Sequence, residues 1–425
     1  MQGPLPTKSP NDTHIAIVGA GIVGMSCALW LRKKGFKVTV LDGNSPGTIT
    51  SYGNACIIAD YACVPVNAPN LISRLPSLLF SANRPLSIDP FHAITHLPWL
   101  MAFLRHCKAP EVERITNTLG KLLLETNSGL DPLIEMTSSQ DLFKKEGCMY
   151  VYQSSVSYKK AKASNQSRAD NHVQFTQLDS NDIMDLEPNI KPGFDKGLLF
   201  NNARQVLNPK HLVDRYFQTF VENQGHYLHQ HVLNVEHQRT SGGNLSLALA
   251  NGTRFAADKA VICCGAFSKT IQGIGANKLP LDTERGYHVQ FKNQQSLLNR
   301  PVGWAEAGLY ATPTNEGLRF AGTVEIAGLS KPANPRNIAY LNNKAHQMFA
   351  LDESYSSDWL GYRPTFPDSL PVIDYSPNSH DILFAFGHQH IGLTLAGITG
   401  KIIAELILGN KPEVDISGFS ARRFE

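Results

Sequence analysis

Four residues near the start of the chain have the types and spacing to hold a phosphate-linked cofactor. Gly19, Gly21 and Gly24 stand in a G-x-G-x-x-G pattern, and Asp42 ends the apolar run that follows. Gly19 permits a tight turn, Gly21 lets backbone N–H groups approach a pyrophosphate, and Gly24 allows a helix to pack closely on a strand. Asp42 can accept ribose hydroxyls. Ile22 and Val23 open the helix, whose free N–H groups and positive dipole end favour an anion. The elements that must position these residues are present in order. His14 to Val18 reads as a buried strand, MSCALWLRKKG as a helix ending at Gly35, and Phe36 to Leu41 as a second strand. This βαβ unit specifies an ADP-bearing cofactor and leaves FAD and NAD both open.

Composition narrows the class. The chain has 425 residues, and 39 Lys+Arg against 36 Asp+Glu give a net charge of +3, too even for a nucleic-acid binder. Hydrophobic residues at 42% and charged residues at 18% exclude a disordered chain. Repeats are absent, which excludes a solenoid or propeller. The cysteines are 7 in number, scattered and without a C-x-x-C pair, so neither a disulfide framework nor a metal site is expected. Reduced thiols suit a cytoplasmic setting. The apolar run from Ile15 to Leu31 is followed by Arg32, Lys33 and Lys34 and lacks a cleavage site, so it reads as soluble structure and not as a leader.

Past Asp42, the sequence GNSPGTITSYGNACII is too rich in Gly, Ser, Thr and Asn for a helix or an ordinary strand. Its Thr50-Ser51-Tyr52-Gly53-Asn54-Ala55 resembles the T-S-x-x-N-A segment of the D-amino-acid oxidase/dehydrogenase group of FAD-dependent amine oxidoreductases. Ala260 to Ser268 (AVICCGAFS), a strand running into a glycine turn, is similar to that group's second FAD element. Gly361-Tyr-Arg363-Pro364-Thr-Phe-Pro367-Asp368-Ser-Leu-Pro371 resembles its G-x-R-P-x-x-P-D-x-x-P stretch. Gly387-His388-Gln389-His390-Ile391-Gly392-Leu393-Thr394 resembles the G-H-x-H-x-G-L-T signature of the bacterial D-amino-acid dehydrogenase branch. The resemblance runs from His14 to the C-terminal FSARRFE.

The resemblance implies FAD as cofactor. It places Thr50, Ser51, Asn54, Ala55, Cys56 and Ile57 along the pyrophosphate and then past the isoalloxazine ring. Val232, Cys264 and Gly265 would touch the ADP half, and Gly387, His390, Gly392, Leu393 and Thr394 the pyrimidine end of the flavin. A helix starting there stabilises negative charge on the ring. Arg363 would grip a substrate carboxylate, for which its planar, permanently charged fork is suited. Tyr310 and His388 are further catalytic candidates, although loop orientation is the favoured role for His388 and His390. Tyr287 and Glu325 are polar residues of the same sheet region. Three departures from the group's pattern stand out: Cys56, Gln389 and Asp374 occupy positions where glycine is usual.

The expected fold is α/β: a Rossmann-like FAD-binding domain with a second α+β substrate domain whose antiparallel sheet, over 281–326, roofs the flavin. The FAD-binding domain is expected to comprise 12–85, 205–280 and 361–425, and the cap 86–204 and 281–360. Residues 109–145 read as helical and polar, Met149 to Tyr152 as a strand and 155–182 as loop. Pro209 to Val221 reads as a helix, His226 to Val235 as one strand, and Gly242-Gly243 as a hairpin turn. The implied reaction is oxidation of an amino acid, with D-stereochemistry favoured, to a 2-oxo acid and ammonia by hydride transfer from Cα to flavin N5. Orientation and desolvation can supply this step without a side-chain base. The partners are an amino-acid substrate and an electron acceptor: a quinone, another carrier or O2. The alternatives are oxidation of glycine, sarcosine or D-hydroxyproline on the same fold, and a non-catalytic FAD-binding subunit of a multi-chain dehydrogenase. Retention of Arg363 argues against the second. Residues 68–108 carry Arg74, Arg84, Arg105 and Lys108 against one acid, Asp89. Within them the apolar 97–104 reads first as lid or core packing and alternatively as a peripheral contact at the inner membrane face.

Overall fold

The computed structural model describes residues 9–67, 85–238 and 244–425. The glycine-rich turn sits at the head of a six-stranded sheet. Its centre is β1 (His14–Val18), flanked by β2 (Lys37–Asp42) and β14 (Lys259–Ile262). Beyond these lie β10 (His226–His229), β21 (Ser379–Phe386) and β20 (Val372–Ser376). All pairings are parallel except β20–β21. Side chains of β1 alternate between two cores. Ile15 and Ile17 face the helices Ile22–Lys33 and Gly392–Ile407, whereas Ala16 and Val18 face a small antiparallel sheet. Burial of both faces is why β1 reads as an unbroken apolar run.

That small sheet comprises β11 (Val232–His237), β12 (Leu245–Leu249) and β13 (Arg254–Ala257). The single strand expected over His226 to Val235 is therefore two. β10 joins the parallel sheet and β11 the small one, because the chain breaks at Gln230 and His231 to change layers. The expected turn at Gly242-Gly243 lies outside the described residues. A further small sheet joins β3 (Ile57–Ile58), β9 (Arg204–Val206) and β5 (Phe143–Lys144).

The cap is a nine-stranded sheet. Its order is β19 (Ser357–Thr365), β15 (Asp282–Phe291), β18 (Gly317–Ile326), β17 (Leu309–Thr314), β16 (Val302–Trp304), β6 (Cys148–Tyr152), β8 (Lys196–Phe200) and β7 (Thr176–Asp179). A short β4 (Leu86–Ile88) pairs with β18. The sheet is mixed and not purely antiparallel, since β16–β6 and β18–β4 are parallel. One face packs on the helix Pro335–Met348 through Val289, Phe291 and Phe320; the other looks into the protein toward the glycine turn.

Three expectations need correction. The helices Ala109–Leu124 and Thr126–Met136, assigned to the cap, bury Ile115, Leu119, Leu122, Leu130 and Leu133 in the core of the parallel sheet. There Gly129 meets Gly397 so closely that a Cβ on Gly129 would fall 2.2 Å from the Ile398 nitrogen. Second, the boundary expected before Gly361 falls inside β19, which belongs to the cap sheet. Third, residues 155–182 contain the helices Ser155–Lys160 and Lys162–Asp170 and the start of Ser180–Leu186. The middle helix buries only Asn165, so it carries no apolar stripe to read. The last one has a capping box between Asp179 and Asp182, a signal present in the sequence.

Candidate functional site

Between the two sheets lies one continuous cavity of about 990 Å³. It runs from the turn after β1, along the loop 43–57, to the inner face of the cap. At the turn, Gly19 adopts φ +110°, and a Cβ there would lie 2.6 Å from the Cys263 carbonyl oxygen. Only glycine fits this turn without strain. Gly21, Ile22 and Val23 line the cavity beside it, while Gly24 lies behind, where a Cβ would meet the Gly19 oxygen at 1.9 Å. Asp42 faces the cavity while Oδ2 accepts from Ala20 N (2.8 Å) and Oδ1 from Asn44 N (2.8 Å), which fixes the carboxylate.

The loop 43–57 forms one long wall, and much of its polar chemistry braces the wall itself. Ser51 Oγ accepts from Ile22 N at the helix start (3.0 Å), and the Thr50 hydroxyl donates to the Tyr362 carbonyl (3.1 Å). Asn54 donates to the Ser51 carbonyl (3.0 Å) and accepts from Cys56 N (2.8 Å). Ala55 presents its carbonyl to Thr312 Oγ1 (2.9 Å), and Ile57 enters β3. Cys56 sits at φ +63°, the backbone region that explains a glycine preference. Its thiol accepts from Arg319 Nη1 at 3.4 Å, and burial pushes its pKa up. Gln389, the second departure, is also left-handed, at φ +50°. Asp374 lies in β20, where its carboxylate accepts from the next backbone N–H (2.7 Å).

Val232, Cys264 and Gly265 line the cavity opposite the first glycines, and Gly392, Leu393 and His390 line it at the start of the C-terminal helix. Gly387 and Thr394 stand just outside. Thr394 Oγ1 accepts from Ala59 N (2.9 Å), tying the helix start to the loop wall, and Gly387 has φ +89° against Phe366. His388 borders the cavity, but its Nε2 lies 2.9 Å from Thr399 Oγ1, and burial lowers its pKa to about 3. His390 is drawn down to about 4, first by its enclosure and then by the charge of Arg363. Both rings are neutral near pH 7.

Arg363 enters from β19 and lays its guanidinium across Gly286 of β15, where a Cβ would fall 2.2 Å from Nη2. Nη1 donates to the Thr323 carbonyl (2.8 Å) and Nη2 to that of Gly322 (3.5 Å). Arg363 lines the cavity, and a guanidinium has five donors, more than these two bonds use. Tyr310 also lines it, accepting from the Tyr61 hydroxyl (3.3 Å), and burial holds its pKa well above the usual phenol value. Tyr287 lines it too, but its hydroxyl is committed to Glu325. The Tyr287 hydroxyl donates to Glu325 Oε2 (2.5 Å), and Asn334 and Arg285 complete that network.

Four residues of the site escaped the sequence reading. Glu284, buried at 3% exposure, pairs in register with Arg363 and borders the cavity. Gly286 is the floor beneath the guanidinium. Trp359 wedges its ring between Gly53 and Gly361, at either of which a Cβ would overlap it. Arg168 closes the end lined by Tyr150 and Phe200, with Nε buried and unbonded among the described residues.

Outside the cavity, His92, His96 and Asp282 hold potential metal-ligand atoms within 4.8 Å of one another, and His92 Nε2 lies 2.9 Å from Asp282 Oδ2. The seven cysteines are all free. Of the 97–104 segment, Leu100, Phe103 and Leu104 line the cavity, whereas Leu97 and Met101 are about half exposed, at 52% and 49%. No helix among the described residues is long and apolar enough to cross a membrane.

A cavity that starts at a glycine turn on a helix N-terminus and ends under a roof sheet is long enough for a dinucleotide with a substrate beyond it. The profile of the FAD dependent oxidoreductase family matches residues 14–406. The chain is also 30% identical to a D-amino-acid oxidase of Bradyrhizobium diazoefficiens over 423 residues, covering 98% of this chain and 100% of that protein. The chain belongs to the FAD dependent oxidoreductase family. Solved folds agree with this membership. Glycine oxidase from Geobacillus kaustophilus superposes with a TM-score of 0.73 at 17% identity, covering 96% of this chain and 98% of that one. L-Proline dehydrogenase from P. horikoshii superposes with a TM-score of 0.71 at 16% identity, covering 98% of each chain. As a family member the protein is an FAD-dependent oxidoreductase whose chemistry is of the oxidative-deamination type. The cavity fits that cofactor: its Cβ-free turn and open helix start would take the pyrophosphate, and Asp42 the ribose.

Proposed function

We propose that this protein oxidises the Cα–N bond of a D-amino acid, giving a 2-oxo acid and ammonia, and passes the electrons on as a dehydrogenase. The carrying observation is Arg363, held by two backbone carbonyls over Gly286 in the same cavity as the dinucleotide turn. Bound FAD supplies a two-electron acceptor. Arg363 binds the substrate carboxylate by a charge-assisted fork. Leu100, Phe103 and Leu104 cover the cavity with apolar surface and exclude water, and the neutral His388 holds the Gly392 helix in place through Thr399. The D-amino-acid oxidase of B. diazoefficiens supports the choice of stereochemistry.

The test is anaerobic bleaching of the yellow protein by single D- and L-amino acids, proline analogues and glycine. Bleaching by D-amino acids sustains the reading, and bleaching only by L-amino acids or glycine replaces it. Slow recolouring in air identifies a dehydrogenase, and rapid recolouring an oxidase. We also propose a cytoplasmic protein touching the inner membrane face. The observation favouring it is the exposure of apolar residues on the helices Pro90–Thr95 and Leu97–Arg105: Phe91 (74%), Ile94 (75%), Leu97 and Met101. Replacing these four by serine is expected to release the protein from sedimented membranes; an unchanged distribution discards the contact.

A further inference from the structure

We infer that Glu284 receives the amino group of the substrate, so that the site is built for zwitterionic α-amino acids over 2-hydroxy acids. The inference rests on the amino-acid reading above. Glu284 and Gly286 lie on one face of β15, and that face borders the cavity. Across the sheet, Glu284 is the register partner of Arg363 and Gly286 that of Gly361. The Arg363 side chain leans over Gly286, so its guanidinium lies over the position one same-face step along the strand from Glu284. Two residues of strand span about 6.7 Å. The guanidinium is directed to the Thr323 and Gly322 carbonyls and not to the carboxylate. The carboxyl group and the guanidinium thus share one face of the site without a direct hydrogen bond between them. A carboxylate and an amino group one carbon apart fill such a gap when each adds a charge-assisted hydrogen bond of about 2.8 Å.

The carboxylate is itself held in place. Oε1 accepts from Gln389 Nε2 (3.2 Å), the same nitrogen lies 3.2 Å from Ser369 Oγ, and the Ser369 hydroxyl donates to Asn67 Oδ1 (2.5 Å). Oε2 accepts from no described residue. The left-handed backbone of Gln389 aims its amide at Glu284, which gives a reason for a strained residue where glycine would be easier. Burial favours the neutral acid, and Arg363 counters it. An incoming ammonium would reinforce Arg363 in favouring the carboxylate. A 2-hydroxy acid brings the same carboxylate to Arg363 but no cation.

The experiment is calorimetric titration of the FAD-loaded protein with 2-aminoisobutyrate, 2-hydroxyisobutyrate and isobutyrate. The first lacks a Cα hydrogen and so is not consumed. The unaltered protein should bind 2-aminoisobutyrate most tightly. Glu284→Gln should weaken that ligand by about 10- to 100-fold while leaving isobutyrate no weaker, and Glu284→Asp should restore part of the difference. Equal weakening of all three ligands would make Glu284 a mere support for Arg363 and overturn the inference, as would undiminished binding of 2-aminoisobutyrate. Arg363→Ala should weaken isobutyrate. Should it not, the carboxylate role of Arg363 fails first, and the failure is visible separately from that of Glu284. Flavin content and melting temperature verify that each variant is folded.

Discussion

The parallel sheet and the cap sheet both depend on glycine, for opposite reasons. At Gly19 the backbone itself is the constraint. Its φ of +110° and its approach to Cys263, just past the neighbouring strand β14, leave no room for any side chain. At Gly286 the φ is ordinary, and what the missing Cβ makes room for is a side chain from a neighbouring strand, Arg363. Gly361, two residues along the same strand, and Gly53 in the loop wall leave room for the Trp359 ring. In the cofactor half glycine shapes the backbone of a turn; in the substrate half it makes room for a side chain.

Alanine at each position tests this contrast most directly. Gly19→Ala is expected to cost about 3 kcal/mol or more, combining a disallowed backbone with a backbone clash, and to yield colourless protein. Recovery of full flavin content would break the comparison. Arg363→Ala should leave the protein yellow but lower kcat/KM for amino acids by about 100- to 1,000-fold, corresponding to loss of a buried charged pair. Gly286→Ala should also retain flavin and lower kcat/KM by about 10-fold or more, through displacement of the guanidinium. In an Arg363→Ala background it should cost almost nothing more, and a full additive loss would show that Gly286 serves something other than Arg363.

The two regions also share an acid sensitivity. His388 beside the cofactor helix and His288 in the cap are both buried, with pKa values lowered to about 3, by burial alone for His388 and by burial and then Arg319 for His288. Above pH 6.5 neither the folded nor the unfolded form is protonated, and these rings cost nothing. As pH falls from 6.5 toward 3 the unfolded chain takes up protons that the native state refuses, so stability falls by at most about 1.4 kcal/mol per unit for each ring. His388→Asn should flatten the acid side of a denaturant-midpoint profile; an unchanged slope would assign the loss to other groups. The smallest effect is expected at Cys56. Glycine there relieves a left-handed backbone but forfeits the thiol's contact with Arg319, so stability should shift by about 1 kcal/mol or less. A pronounced change in the flavin spectrum of Cys56→Gly would mean that the thiol meets the ring.

Legibility in the sequence follows the range of the contacts. The turn, its helix and Asp42 are local, and each was readable from spacing. So was the helix start at Gly392. The helices over 109–136 were recognisable as helices, but the core they join was not, because an amphipathic stripe says that something covers it and not what. Helix Lys162–Asp170 lacked even the stripe. Cys56 and Gln389 could be marked as departures from glycine, yet only their left-handed backbones show what the departure costs. Glu284 was invisible: in the alternation of a roof strand it is one more polar residue among several.

The sequence by itself determined the cofactor class, the βαβ unit and the presence of an arginine in a Gly-x-Arg-Pro segment, since turns and capped helices follow from neighbours in the chain. The tertiary structure alone decided that Arg363 and Glu284 stand side by side, that Gly286 lies beneath the guanidinium and that Tyr287 and Glu325 are spent on each other. Those relations come from strand register and from segments remote in sequence, and side-chain alternation along one strand does not reveal which residue stands opposite on the next.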